Sequence, residues 1–205
     1  MVVNIVMVLF VALALFVLPT FFHLAPYLSD AVFRARGSEA LEFSVRVTRE
    51  RNTVAFILLI PAVLIMSRYR LYDPDFFQYF QGDWRLLACF TVLLTYLLVR
   101  LVLYWTLRPR RRMDNYRLAH KLIHTFFILF MLLALPAIGI LTIIDANDMV
   151  IRTVLYILLA FTYLVFLVRK AQILSLSCDG LQTFLYLCAL EILPIGALVV
   201  SAVVL

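Results

Sequence analysis

Apolar residues in this chain run almost unbroken for roughly 18 to 25 positions and stop at clusters of charge, the pattern of helices long enough to cross a ~30 Å hydrocarbon layer. The pattern predicts about six spans, at 2–27, 53–67, 86–107, 121–144, 153–168 and 181–205. The expected fold is an all-α integral membrane protein, one transmembrane domain over 1–205 built as a helical bundle with a short interfacial helix. Two connections depart from the pattern. In 41–48, Leu41, Phe43, Val45 and Val47 alternate with Glu42, Ser44, Arg46 and Thr48. This period of two fits a segment with one side in the headgroups, or a strand that adds to a partner's edge. The second is the aromatic stretch 68–85, in which Asp73 can cap a short helix with Pro74 at its first position. Phe76, Phe77 and Phe80 would then line one side, flanked by Tyr69, Tyr72, Tyr79 and Trp84, at headgroup level.

Composition agrees with the pattern. Of 205 residues, 65% are hydrophobic and 15% charged, with a mean hydropathy of +1.04. Soluble domains average about 45–50% apolar and about 25% charged. The formal charge of +6 does not point to nucleic acid, because the basic residues follow the span boundaries. The first span has no basic residue before it and no small-residue cleavage site after it, so it reads as a retained helix. Cys89, Cys178 and Cys188 have no paired spacing and imply no disulfide framework.

Charge also sets the orientation. With 28–52, 108–121 and 169–180 on the cytoplasmic side, that side receives thirteen Lys and Arg residues. The opposite side receives four, Arg68, Arg70, Arg85 and Arg152, while Arg100 lies within a span. Lys and Arg concentrate on the cytoplasmic side, so both termini are expected to be periplasmic.

The chemistry lies within the spans. Glu191 is near the middle of the last one, and a charge at that depth costs several kcal/mol unless it is paired, neutralised or hydrated. Arg100 is the second intramembrane charge, roughly 10 Å in from the cytoplasmic end of its helix against roughly 15 Å for Glu191. A flexible arginine covers the difference. Tyr96 and Tyr104 lie one turn either side of Arg100, and Cys89 is on the same face. This ridge is expected to pack on the Cys188–Glu191–Ile195 face. Such a pair either fixes helix register or lines a polar cavity. Pro194 frees the carbonyl of Leu190 beside the carboxylate, as an ordinary kink or as an ion or proton site at a helix break. His120 and His124 are spaced i, i+4 and His23 is near the same boundary, but H-x-x-x-H alone is not specific and Arg117 and Lys121 would repel a cation. No metal or cofactor is assigned. H-E-x-x-H, G-x-S-x-G and C-x-x-C are absent, and five glycines leave little room for a phosphate loop.

The run Tyr186-Leu187-Cys188-Ala189-Leu190-Glu191-Ile192-Leu193-Pro194 resembles the C-terminal signature of an uncharacterised multi-pass inner-membrane family of Bacteroidota, domain of unknown function 4271. The stretches 48–56 and 68–72 also fit that family's opening. The resemblance implies a bacterial cytoplasmic membrane, supplies no activity, and marks Tyr186, Cys188, Glu191 and Pro194 as signature positions.

The expectation is therefore a non-enzymatic membrane protein acting as an accessory or assembly subunit of an envelope complex, embedded in lipid beside a membrane-protein partner or a second copy. Gly196, Ala197 and Ser201 would let another helix approach closely. The alternative is a small proton-coupled carrier using Glu191 and Arg100.

Overall fold

A computed structural model describes residues 23, 24, 26, 45–79, 83–107, 114–176 and 180–204. Among these residues the fold is helical and contains no strand. Five helical runs are long and apolar enough to cross a membrane: Arg46–Arg68, Trp84–Thr106, Leu118–Ile143, Asp148–Ser175 and Gly180–Ala202. The sixth expected span, 2–27, lies almost wholly outside the described residues.

The first run comprises α1 (Val45–Ile57) and α2 (Leu59–Arg68). The alternation that suggested a strand over 41–48 is overturned from Val45 onward, where the chain is helical. Val47 turns inward onto Leu24, Val54, Ala55 and Ile128, while Arg46 reaches Glu50 one turn on, at 2.9 Å. Three-dimensional packing outweighs a short period-two pattern here. The interruption at Leu58 follows from Pro61, which has no N–H to offer the carbonyl of Ile57. The ladder resumes at once, with the Ala62 amide bonded to the Leu58 carbonyl at 3.2 Å.

At the end of α2 the Leu71 amide donates to the Met66 carbonyl at 3.2 Å, and Arg70 sits at φ 50°. This is a Schellman closure with arginine in the left-handed position that glycine ordinarily fills, at a cost on the order of 1 kcal/mol. The following connection contains a 3-10 turn, Asp75–Tyr79. Of the three phenylalanines expected along one side, Phe80 and the side chain of Phe76 lie outside the described residues. Phe77 is buried edge-on against Tyr72, with ring centroids 5.4 Å apart, while Tyr79 and Trp84 are exposed. Asp73 gives its carboxylate to Arg85 at 2.6 Å. The Tyr72 hydroxyl donates to Ser201 Oγ at 2.9 Å, and that hydroxyl donates to the Leu198 carbonyl at 2.8 Å. The connection is thereby fixed to the last helix.

Helix α3 (Asp83–Thr106) is the most exposed of the five runs, with 11% of its apolar stretch buried against 22–28% in the others. Its buried side chains among those described are Cys89 and Arg100, three turns apart on one face. The long helices α4 (Asp114–Ile143) and α5 (Asp148–Ser175) pack side by side. Ala119 and Ala134 on α4 keep the pair close, and Phe126 meets Phe166 edge-on at 5.6 Å. Their link is a second Schellman closure, with Ala146 N–H to the Leu141 carbonyl at 3.0 Å and Asp145 at φ 53°. Asn147 then caps α5, its side chain accepting from the Met149 amide at 3.4 Å.

The last run is α6 (Gly180–Leu187), a π turn (Cys188–Ile192) and α7 (Leu193–Val204). In the π turn the Leu193 amide bonds to the Cys188 carbonyl, and Pro194, itself buried, has no N–H with which to restore the α ladder. The boundaries of α4 and α5 differ from the sequence expectation. Helix α4 begins at Asp114 and α5 continues to Ser175, so Lys170 lies inside a helix rather than in a cytoplasmic link.

Candidate functional site: a shared carboxylate inside the bundle

Three elements converge on one carboxylate. The π turn puts Glu191 inward, α3 supplies Arg100 and α5 supplies Lys170; their exposures are 1%, 4% and 2%. Arg100 Nη2 donates to Glu191 Oε1 at 2.5 Å, and Lys170 Nζ donates to the same oxygen. Glu191 Oε2 and Arg100 Nε make no hydrogen bond among the described residues. Lys170 also lies over the Phe166 ring, 5.7 Å from its centroid, a cation–π contact that offsets part of the ammonium's lost hydration. Isolated charges in a low-dielectric interior cost several kcal/mol each, so each of the three depends on the others.

Below the triad lies an aromatic layer. Tyr104 stacks on His120 with centroids 3.7 Å apart and planes 20° apart, and on Tyr116 at 5.3 Å. Tyr116 in turn meets Tyr186 at 5.6 Å. The layer joins α3, α4 and α6. Tyr96 and Cys188 are half-buried, whereas Cys89 packs elsewhere, with Val63, Tyr72 and Phe77. The predicted ridge thus packs along the last span: its Arg100 end meets Glu191, and its Cys89 end lies by Leu198 and Ala202, beyond the expected Cys188–Ile195 face.

The histidines part company. His23 Nδ1 is 3.2 Å from Glu50 Oε2, while His120 is held in the aromatic layer. No group of three or more His, Cys, Asp or Glu residues among those described is arranged to hold a metal. The sequence reading missed Lys170, although the apolar residues Ala171, Ile173 and Leu174 after it signal a helix that runs on. Arg51, one of the charges expected on the cytoplasmic side, has a buried side chain.

Long apolar helices packed around an internal ion cluster define a helical membrane protein. The chain belongs to the family described as Domain of unknown function (DUF4271), which it matches over residues 3–200. No curated protein and no solved structure matches it.

Proposed function

We propose that this chain is a non-enzymatic inner-membrane protein, an accessory or assembly subunit of a bacterial envelope complex, with both termini periplasmic. The observation that carries this reading is the sharing of Glu191 Oε1 by Arg100 and Lys170 with all three groups buried. The carboxylate is neutralised by groups of the same chain, so it needs no exchanged proton and no substrate cation. The cluster acts as a bolt through α3, α5 and the π turn, suited to a scaffold. Helix α3, anchored at Cys89 and Arg100, turns Leu94, Leu98, Leu101, Val102 and Trp105 outward as a broad apolar face. Of the small residues on the last helix, Ser201 is engaged by Tyr72, whereas Gly196 and Ala197 remain open to another helix. The test is affinity purification of the full chain from native membranes in mild detergent, with cross-linking. A stoichiometric protein partner, retained by a folded Glu191→Gln variant, fits the proposal; recovery of the chain alone refutes it.

One observation favours a carrier instead. A π turn at the carboxylate, together with buried polar atoms at Glu191 Oε2 and Arg100 Nε that lack hydrogen-bond partners among the described residues, is the kind of local irregularity found where ions or protons bind. Reconstituted vesicles containing a pH-sensitive dye distinguish the two readings. A proton flux lost in a folded Glu191→Gln variant selects the carrier, and flux equal to that of empty vesicles removes it.

A further inference from the structure

At the less basic end of the bundle, the end of α2 and the start of α5 enclose an open recess of about 550 Å³. Arg68, Arg70 and Arg152 line it, with Asp148, Thr153 and Tyr156. We propose that this recess binds a phosphate group, held by the three guanidinium groups at the level of the lipid headgroups.

Four observations carry the proposal. First, charge segregation leaves four basic residues on this side of the spans, and three of them meet in one recess against a single lining carboxylate. A random scatter of interfacial arginines would not converge in this way. Second, their existing partners are loose. Arg68 and Asp148 are 3.5 Å apart with both side chains largely exposed, and Arg70 is 3.9 Å from Asp73, which Arg85 already holds at 2.6 Å. The Arg152 guanidinium is set against the Tyr156 hydroxyl at 3.3 Å, and that hydroxyl donates to the Leu71 carbonyl at 2.8 Å. Tyr156 therefore positions Arg152 while tying the two walls together.

Third, Arg70 occupies a left-handed backbone position that disfavours any residue with a Cβ. A long charged side chain at a strained position is explained when the charge is used. Fourth, the helix ends place the recess where the spans stop, and the exposed apolar side chains of Met149, Ile143 and Ile144 lie on and beside the same α4–α5 link. A phosphate with acyl chains attached would find guanidinium donors for its oxygens and apolar neighbours for its chains. Guanidinium suits this task because its planar fork bonds two phosphate oxygens at once. The site is independent of the role of Glu191.

The experiment uses the full chain purified in detergent, with thermal stability and retained phospholipid measured by native mass spectrometry. Additions are phosphatidylglycerol, phosphatidylcholine, or inorganic phosphate with glycerol phosphate. The expected result is at least a tenfold preference for phosphatidylglycerol over phosphatidylcholine, lost in the Arg68→Gln/Arg152→Gln double variant and kept in Arg46→Gln, whose exposed charge lies in α1, outside the recess. Retention of phosphatidylglycerol alone identifies a lipid headgroup as the source of the phosphate; stabilisation by millimolar inorganic or glycerol phosphate identifies a soluble one. Wild-type retention in the double variant, or no response to any of the anions, overturns the proposal. If the double variant fails to fold, Arg70→Gly decides. That change relieves the backbone, so it should raise thermal stability while lowering anion retention severalfold, a combination that structural damage cannot produce; unchanged retention overturns the proposal.

Discussion

Replacing Glu191 by glutamine should harm the fold far more than removing either of its cations. The triad has two positive groups and one negative group within a volume from which water is largely excluded, with Arg100 at 2.5 Å from the shared oxygen. Lys170→Met leaves Arg100 and Glu191 as a neutral one-to-one pair, and Arg100→Met leaves Lys170 and Glu191 in the same condition. Glu191→Gln leaves two buried cations facing each other with no anion. Removing the compensating partner from a buried pair costs about 3–5 kcal/mol. For a chain of about 200 residues that corresponds to a fall in Tm on the order of 6–20 °C. Cys89 supplies the assay, because its thiol is wholly buried and reacts with a fluorogenic maleimide only on unfolding. In a Cys178→Ser/Cys188→Ser background, Glu191→Gln should show the full loss and Lys170→Met less than half of it. Adding Lys170→Met and Arg100→Met to Glu191→Gln should recover most of the stability, since apolar groups replace the whole cluster. Equal losses for the three single variants, or no loss for Glu191→Gln, would refute the electrostatic account.

Other outcomes follow from the packing. His120→Phe should keep the stack on Tyr104 and leave Tm nearly unchanged, whereas His120→Ala should cost about 1 kcal/mol in the same thiol assay. Pro61→Ala should restore the amide donor to the Ile57 carbonyl and merge α1 with α2, detected as slower hydrogen exchange over 57–62. Tyr72→Phe removes the donor to Ser201 Oγ but leaves that hydroxyl bonded to the Leu198 carbonyl. Its expected cost is about 1 kcal/mol, and a much larger loss would show that the connection carries more of the fold than this bond explains.

Much of this architecture is legible in the sequence because a membrane span is a long signal. Runs such as 86–107 need no partner to be recognised, and the described end of α3 at Thr106 lies within a residue of that reading. Glu191 and Arg100 stood out because few charges occur at that depth. Lys170 did not, because its span was ended at 168 where basic residues begin; whether a lysine ends a helix or turns into the core is decided by Phe166 and Glu191, which lie elsewhere along the chain or on another element. The alternation over 41–48 misled for a related reason. Eight residues are too few to separate a period of two from one face of a helix, and the inward turn of Val47 depends on Leu24 and Ile128. The left-handed arginine at 70 had no signal at all, since glycine and asparagine are the residues that usually announce such a turn.

The shared oxygen also constrains the order in which the chain can be assembled. Arg100 and Glu191 are 91 residues apart, and Lys170 and Glu191 are 21 apart. At about 5–20 residues per second, the ribosome takes roughly 5–18 s to reach the acid after making the arginine. During that interval α3 carries its guanidinium, and α5 emerges with Lys170, before Glu191 is made. The third helix therefore closes into the bundle only once the C-terminal helix arrives, and until then its arginine can reach the nearby interface.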